Sequence, residues 1–245
     1  MKPSCYDRSG FLKGLAISTV LAAAPVMTLV LAAPPAPAPA DGVRFIGAEQ
    51  CKNCHKAEKA GNQYGKWTEM KHAKAYERLA SEEAKKTGKE KGVDDPQKSD
   101  KCLKCHVTAF GKPPELLGKK FDIKQGVQCE SCHGPGEKHF KARFAAAQDA
   151  EEGAEKEYEA VPEDEITALP PIDTCLQCHN SDSPSFKGLC ATEIFKEIMH
   201  LDPRKKRKPD EIESLRKKWA MKLEEAKSGC GGPEKCEECK KAGVK

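Results

Sequence analysis

Material for an ordinary hydrophobic core is scarce in this chain. Of its 245 residues 38% are apolar and 6% aromatic, while 33% are charged. A domain of that length stabilises itself by burying most of its apolar side chains. Here there are too few, so something other than side chains must fill the interior. No alternation of strand and helix patterns surrounds its cysteines, which argues against a thioredoxin-like redox domain. What the chain does have is 13 cysteines, and a polar domain with so many needs them as staples or as attachment points for a cofactor.

Residues 1–40 read as a signal peptide. A basic start (Lys2, Arg8, Lys13) precedes an apolar run from Leu15 to Ala33, then small residues and prolines, with cleavage expected after Ala38 or Ala40. Pro25 interrupts the run and prolines 34 to 39 follow it directly, which disfavours a retained membrane helix. No lipid-acceptor cysteine follows, so membrane association is expected only if this segment is retained. The expected location is the periplasm, or otherwise across the cytoplasmic membrane. Cleavage removes Cys5, three positive charges and one negative, taking the formal charge from +4 to +2.

The spacing of the remaining cysteines decides the chemistry. Cys51-Lys-Asn-Cys54-His55, Cys102-Leu-Lys-Cys105-His106, Cys129-Glu-Ser-Cys132-His133 and Cys175-Leu-Gln-Cys178-His179 are four copies of Cys-x-x-Cys-His. Random placement of the cysteines and histidines gives only about 0.02 copies of this c-type haem attachment signature. Cysteines three apart face one side of a helical turn and can form thioethers with two haem vinyl groups. The histidine that follows is placed to ligate the iron. Zinc, the alternative for paired cysteines, has no use for a histidine after every second one.

The fold class that follows is mainly α, with short helices and loops wrapped around a four-haem core. Residues 41–203 form the expected haem domain. Residues 204–245 form a C-terminal helical extension with its own cysteines. Four haems add eight propionates, so the loaded protein is less basic than its sequence, and a nucleic-acid partner is not indicated.

Three histidines, His72, His139 and His200, lie outside the motifs. Isolated, each would read as a surface residue; beside four haems they are candidate distal ligands. Three imidazoles for four irons leave one haem without a histidine on its far face, either five-coordinate or bound by Met, Lys or water. His72 follows Trp67 and Met70 in a segment, 66–86, expected to be one helix, with 88–100 a polar loop. His139 follows the Gly134-Pro135-Gly136 turn, on a helix expected from Glu137 toward Ala150. His200 ends a stripe of Ile194, Phe195, Ile198 and Met199. Another helix is expected from Pro209 to Lys227, with Ile212, Leu215, Trp219 and Leu223 on one face. The basic run 204–208 before it suits an acidic partner or a solvated surface.

Taken together these features resemble the cytochrome c-554 type of tetrahaem cytochrome over roughly residues 44–202. The carriers are Cys51 to His55 with Trp67 and His72-Ala73-Lys74-Ala75, Cys105-His106-Val107 with Phe110-Gly111, and the string from Gly126 to Gly136. Cys175 to His179 with Ser183-Pro184 completes them. The resemblance implies that His72 pairs with His133, His139 with His55 and His200 with His179, leaving the haem of His106 five-coordinate. The acidic insertion 145–166 departs from the family and has no evident role.

Cys190, Cys230, Cys236 and Cys239 remain. Two disulfides are the expected state in an oxidising compartment, with a four-thiolate zinc site as an alternative. Cys236-Glu-Glu-Cys239-Lys240 also resembles the lysine-ligated haem site of pentahaem nitrite reductases, which would make a fifth haem. The function expected is electron carriage between redox protein partners. The alternative is an oxidoreductase acting on nitric oxide, hydroxylamine or nitrite at the open haem of His106.

Overall fold

The computed structural model describes residues 42–149, 158–186 and 191–225. The signal segment, Cys190, Cys230, Cys236, Cys239 and Lys240, and the side chains of Trp219 and Leu223, lie outside the described residues. The fold is mainly helical. Among the described residues there is no strand, only a parallel bridge between Phe45 and Leu117.

The motifs are helical, as thioether spacing requires. They form α1 (Ala48–His55), α5 (Asp100–His106) and α6 (Cys129–His133). The fourth is entered by α8 (Ile172–Leu176), and the N–H groups of Cys178 and His179 turn back to the Cys175 carbonyl at 3.2 and 2.9 Å. Pro171 stands at the N-cap of α8, where a missing N–H costs nothing.

The helix expected over 66–86 is instead three pieces: α2 (Gln63–Glu69), α3 (Ala75–Arg78) and α4 (Glu82–Glu90). Long-range bonds break it. The carbonyl of His72 accepts from Val127 N at 3.0 Å, and the Trp67 indole donates to the Val127 carbonyl at 2.9 Å. Gly126, at φ 70°, lets the two strands of chain touch, since a Cβ there would lie 2.7 Å from the His72 oxygen. α4 restarts on Ser81, whose hydroxyl accepts from Ala84 N at 3.1 Å. It runs past Gly88, so the loop begins later than expected.

Three helices complete the chain: α7 (Glu137–Gln148), α9 (Ala191–Ile198) and α10 (Pro209–Glu225). Buried Ile172 and Phe195 gather Cys175, Leu176, Phe186, Ile194, Ile198, Ile212 and Leu215, so α10 packs on α8 and α9. Met199 is not part of this cluster and is 36% exposed. Elsewhere the buried apolar residues are few and mostly small, such as Ala48, Ala60, Val93 and Val107.

Polar bonds do much of the remaining work. Glu130 is buried between its motif cysteines, and its carboxylate accepts from the N–H groups of Ile46, Gly47 and Gly136 at 2.8, 2.8 and 2.7 Å. Gln128 accepts from Ala48 N at 2.7 Å and donates to the Asp122 carbonyl at 2.9 Å. These side chains cap the N-terminus of α1, which has no cap of its own. The Thr108 hydroxyl, 2.7 Å from Ser131 Oγ, ties the second motif to the third.

Glu130→Gln replaces an acceptor with a donor facing N–H groups. It is expected to destabilise the protein by about 2 kcal/mol, the order of an unsatisfied buried donor. Denaturant unfolding followed by circular dichroism checks this, and an unchanged midpoint contradicts it. Glu137 is held down to about 2 by hydrogen bonds from Arg44 and Lys141, against about 4.3 when unfolded. A depressed carboxyl adds stability above its unfolded value and loses it as pH falls through its folded one. Glu137→Gln is therefore expected to lower the melting temperature at neutral pH. The gap to the parent closes as the pH is taken from about 4.3 toward 2, and a gap that ignores pH in thermal melts counts against the assignment.

Candidate haem-binding site

No disulfide joins any of the eight motif cysteines. They converge across motifs. Cys51 contacts Cys129, and Cys105 contacts Cys178. Cys132 and Cys175 are close enough to interact electrostatically, and burial first, then this neighbour, pushes the Cys132 thiol up to about 11. Cys178 is pushed up to about 12, first by burial and then by Cys105.

The seven histidines assemble into three pairs and a remainder. His55 faces His139 with ring centres 6.2 Å apart, His72 faces His179 at 6.0 Å, and His133 faces His200 at 5.9 Å. Each pair joins one motif histidine to one of the three others. Two imidazoles bonded to one metal from opposite sides, through bonds of about 2 Å, have ring centres about 6 Å apart. The residues present therefore fit a metal gripped axially.

The pairing corrects the one implied by family resemblance. His55 and His139 meet as expected, but His72 lies against His179 rather than His133, and His200 against His133 rather than His179. The exchange has a structural cause. The bond from Val127 and the close approach of Gly126 fix His72, while Gly61, at φ 99°, admits the Leu201 carbonyl to within 2.6 Å of where a Cβ would stand, fixing the chain after His200. His106 is the histidine left over.

The rings are oriented from behind. Nδ1 of His133 donates to the Thr167 carbonyl at 2.7 Å, that of His106 to the Ala75 carbonyl at 2.8 Å, and that of His200 to the Ile198 carbonyl at 2.5 Å. His55 Nδ1 lies 3.4 Å from the Gln63 amide oxygen, and His139 Nδ1 lies 3.3 Å from Glu165 Oε2. A carbonyl or carboxylate can only accept, so Nδ1 carries the proton and Nε2 keeps its lone pair for a metal. Burial lowers the pKa of His72, His133, His139, His179 and His200, favouring the neutral, ligating form. Sequence reasoning found every histidine but missed Glu165, Thr167, Gln128 and Glu130. Only the string around Cys129 hinted at the last two.

Among the described residues no three His, Cys, Asp or Glu side chains converge as a bare-metal site. A porphyrin brings its own four equatorial nitrogens and asks the protein only for axial ligands, which is what the histidine pairs offer. Beside His133 a cavity of about 630 Å³ opens between Pro135, Lys138, Lys141 and Ile166. No described helix is long and apolar enough to cross a membrane.

Residues 50–134 match the family described as cytochrome c554 and c-prime. Cytochrome c-554 of Nitrosomonas europaea is 41% identical over 97 residues, which cover 38% of this chain and 39% of that protein. The chain thus matches about two fifths of its curated relative's length, a narrower span than the 44–202 expected, and the fourth motif lies beyond residue 134. No solved structure matches. With three Cys-x-x-Cys-His helices and their histidines inside the matched segment, residues 50–134 are similar to the cytochrome c-554 family of c-type cytochromes.

Proposed function

We propose that the chain is an exported tetrahaem c-type cytochrome that carries electrons between redox protein partners in the periplasm. One observation carries this reading: three motif histidines each face a non-motif histidine at about 6 Å, and the fourth does not. Haem, when bound, supplies a one-electron iron centre. The chain's residues do the rest. Cys51, Cys54, Cys102, Cys105, Cys129, Cys132, Cys175 and Cys178 fix the cofactors covalently. His55, His106, His133 and His179 would ligate the irons next to the thioether bonds, and the facing histidines His139, His72 and His200 would hold three of the four.

Contacts between cysteines of the first and third and of the second and fourth motifs, and the closeness of Cys132 to Cys175, support a crowded array, as electron passage over short distances requires. His106, with no facing imidazole, leaves a site where a small molecule binds. That gives the alternative reading, oxidation or reduction of a small nitrogen species, its only foothold. Turnover of hydroxylamine or nitric oxide by the purified protein would favour it over carriage.

Intact mass under denaturing conditions is expected to show four haem-sized increments. A fifth would assign Cys236, Cys239 and Lys240 to a further haem, and fewer than four would sink the tetrahaem reading. Carbon monoxide binding tests the coordination. The reduced protein is expected to take up one equivalent, at the haem of His106, and His72→Ala, His139→Ala and His200→Ala each to take up one more. No binding by the parent, or no gain in the variants, removes the assignment.

A further inference from the structure

We propose that Glu165 is a positioning residue that lowers the reduction potential of the haem held between His55 and His139. The proposal rests on the tetrahaem reading above and goes beyond it. The five histidines with a bonded Nδ1 do not share one kind of acceptor. His133, His106 and His200 donate to backbone carbonyls and His55 faces an amide oxygen, all neutral. His139 alone of the five faces a carboxylate, with Glu165 Oε2 3.3 Å from Nδ1.

This carboxylate is sheltered and built into place. The side chains of His139 and Glu165 are 17% and 10% exposed, so solvent screens their interaction little. Arg143 grips the same carboxylate with two bonds, Nε to Oε2 at 3.1 Å and Nη2 to Oε1 at 2.6 Å, and its remaining nitrogen pairs with Glu159 at 3.0 Å. His139 and Arg143 are four apart on α7, so one helix face presents both donors to Glu165. With Arg143 fixing its plane, Glu165 holds the ring of His139 at one angle toward His55.

A negatively charged acceptor pulls the Nδ1 proton and makes the imidazole a stronger donor through Nε2. A stronger donor stabilises the oxidised iron over the reduced one and lowers the potential. The same stretch presents Thr167, whose carbonyl bonds His133. Glu165, near the end of the acidic insertion, and Thr167, just past it, both outside the family match, therefore supply the outer partners of two histidine pairs, one charged and one neutral. That gives 163–167 a role which composition alone did not reveal.

The test is a potentiometric titration of the holoprotein, followed by visible and EPR spectroscopy. His139→Ala locates the haem, because its low-spin signal becomes high-spin. In Glu165→Gln, that transition is expected to shift upward in potential while the other haems stay put, and Glu165→Asp is expected to restore most of the parent value. An unmoved transition with the full haem complement overturns the proposal, as does an equal shift of all haems. If Glu165→Gln fails to mature, Arg143→Gln, which keeps the carboxylate but frees its charge, carries the test. It is expected to move the same transition downward, and no movement overturns the proposal. If His139→Ala opens no haem, the tetrahaem coordination itself has failed rather than the role of Glu165.

Discussion

The buried carboxylate of Glu130 is the constraint on which the candidate sites depend. Burying a carboxylate is costly unless it is bonded, and burial does raise its pKa while the backbone N–H groups of Gly136, Ile46 and Gly47 lower it. Donors and acceptor together belong to three different places in the fold. Ile46 and Gly47 lead into α1, which carries His55, and Gly136 starts α7, which carries His139. Glu130 itself sits in α6, which carries His133. One side chain therefore sets the spacing of elements that contribute to two histidine pairs. A chain with little apolar packing has few other means of fixing distances to the tolerance an axial ligand demands.

Local chemistry was legible in the sequence; long-range pairing was not. The four motifs could be read because thioether spacing is satisfied within one helical turn, and the helix bounds at α7 and α10 came within a few residues for the same reason. Counting histidines left one motif without a partner, and His106 is the one without. Which histidine meets which is decided by contacts between segments far apart in sequence. Neither the Val127 bond to His72 nor the approach of Leu201 to Gly61 leaves a pattern in the residues nearby.

The break of the 66–86 segment teaches the same lesson from the other side. Its residues favour helix, yet the chain gives up helical bonds at Met70 to Lys74 and bonds instead to Val127. Propensity worth tenths of a kilocalorie per residue yields to tertiary bonds that also seat Trp67. The acidic insertion was opaque for a related reason. Its alanine and glutamate content reads as a solvated face, and the consequential residues are Glu165 near its far end and Thr167 just past it, whose meaning depends on histidines 26 and 34 positions away.

Outer-shell acceptors offer a chain of this kind an economical way to differentiate similar sites. Three histidine pairs of nearly equal separation would otherwise give similar coordination, and electron passage in one direction needs sites that differ. Changing packing around each would demand apolar volume that this sequence lacks. Changing the acceptor behind a ring requires one residue, and the effect is large where solvent is excluded. The neutral carbonyl behind His133 and the arginine-held carboxylate behind His139 lie two residues apart in the chain. A single short segment thus touches two sites, and a change in its position would alter both together.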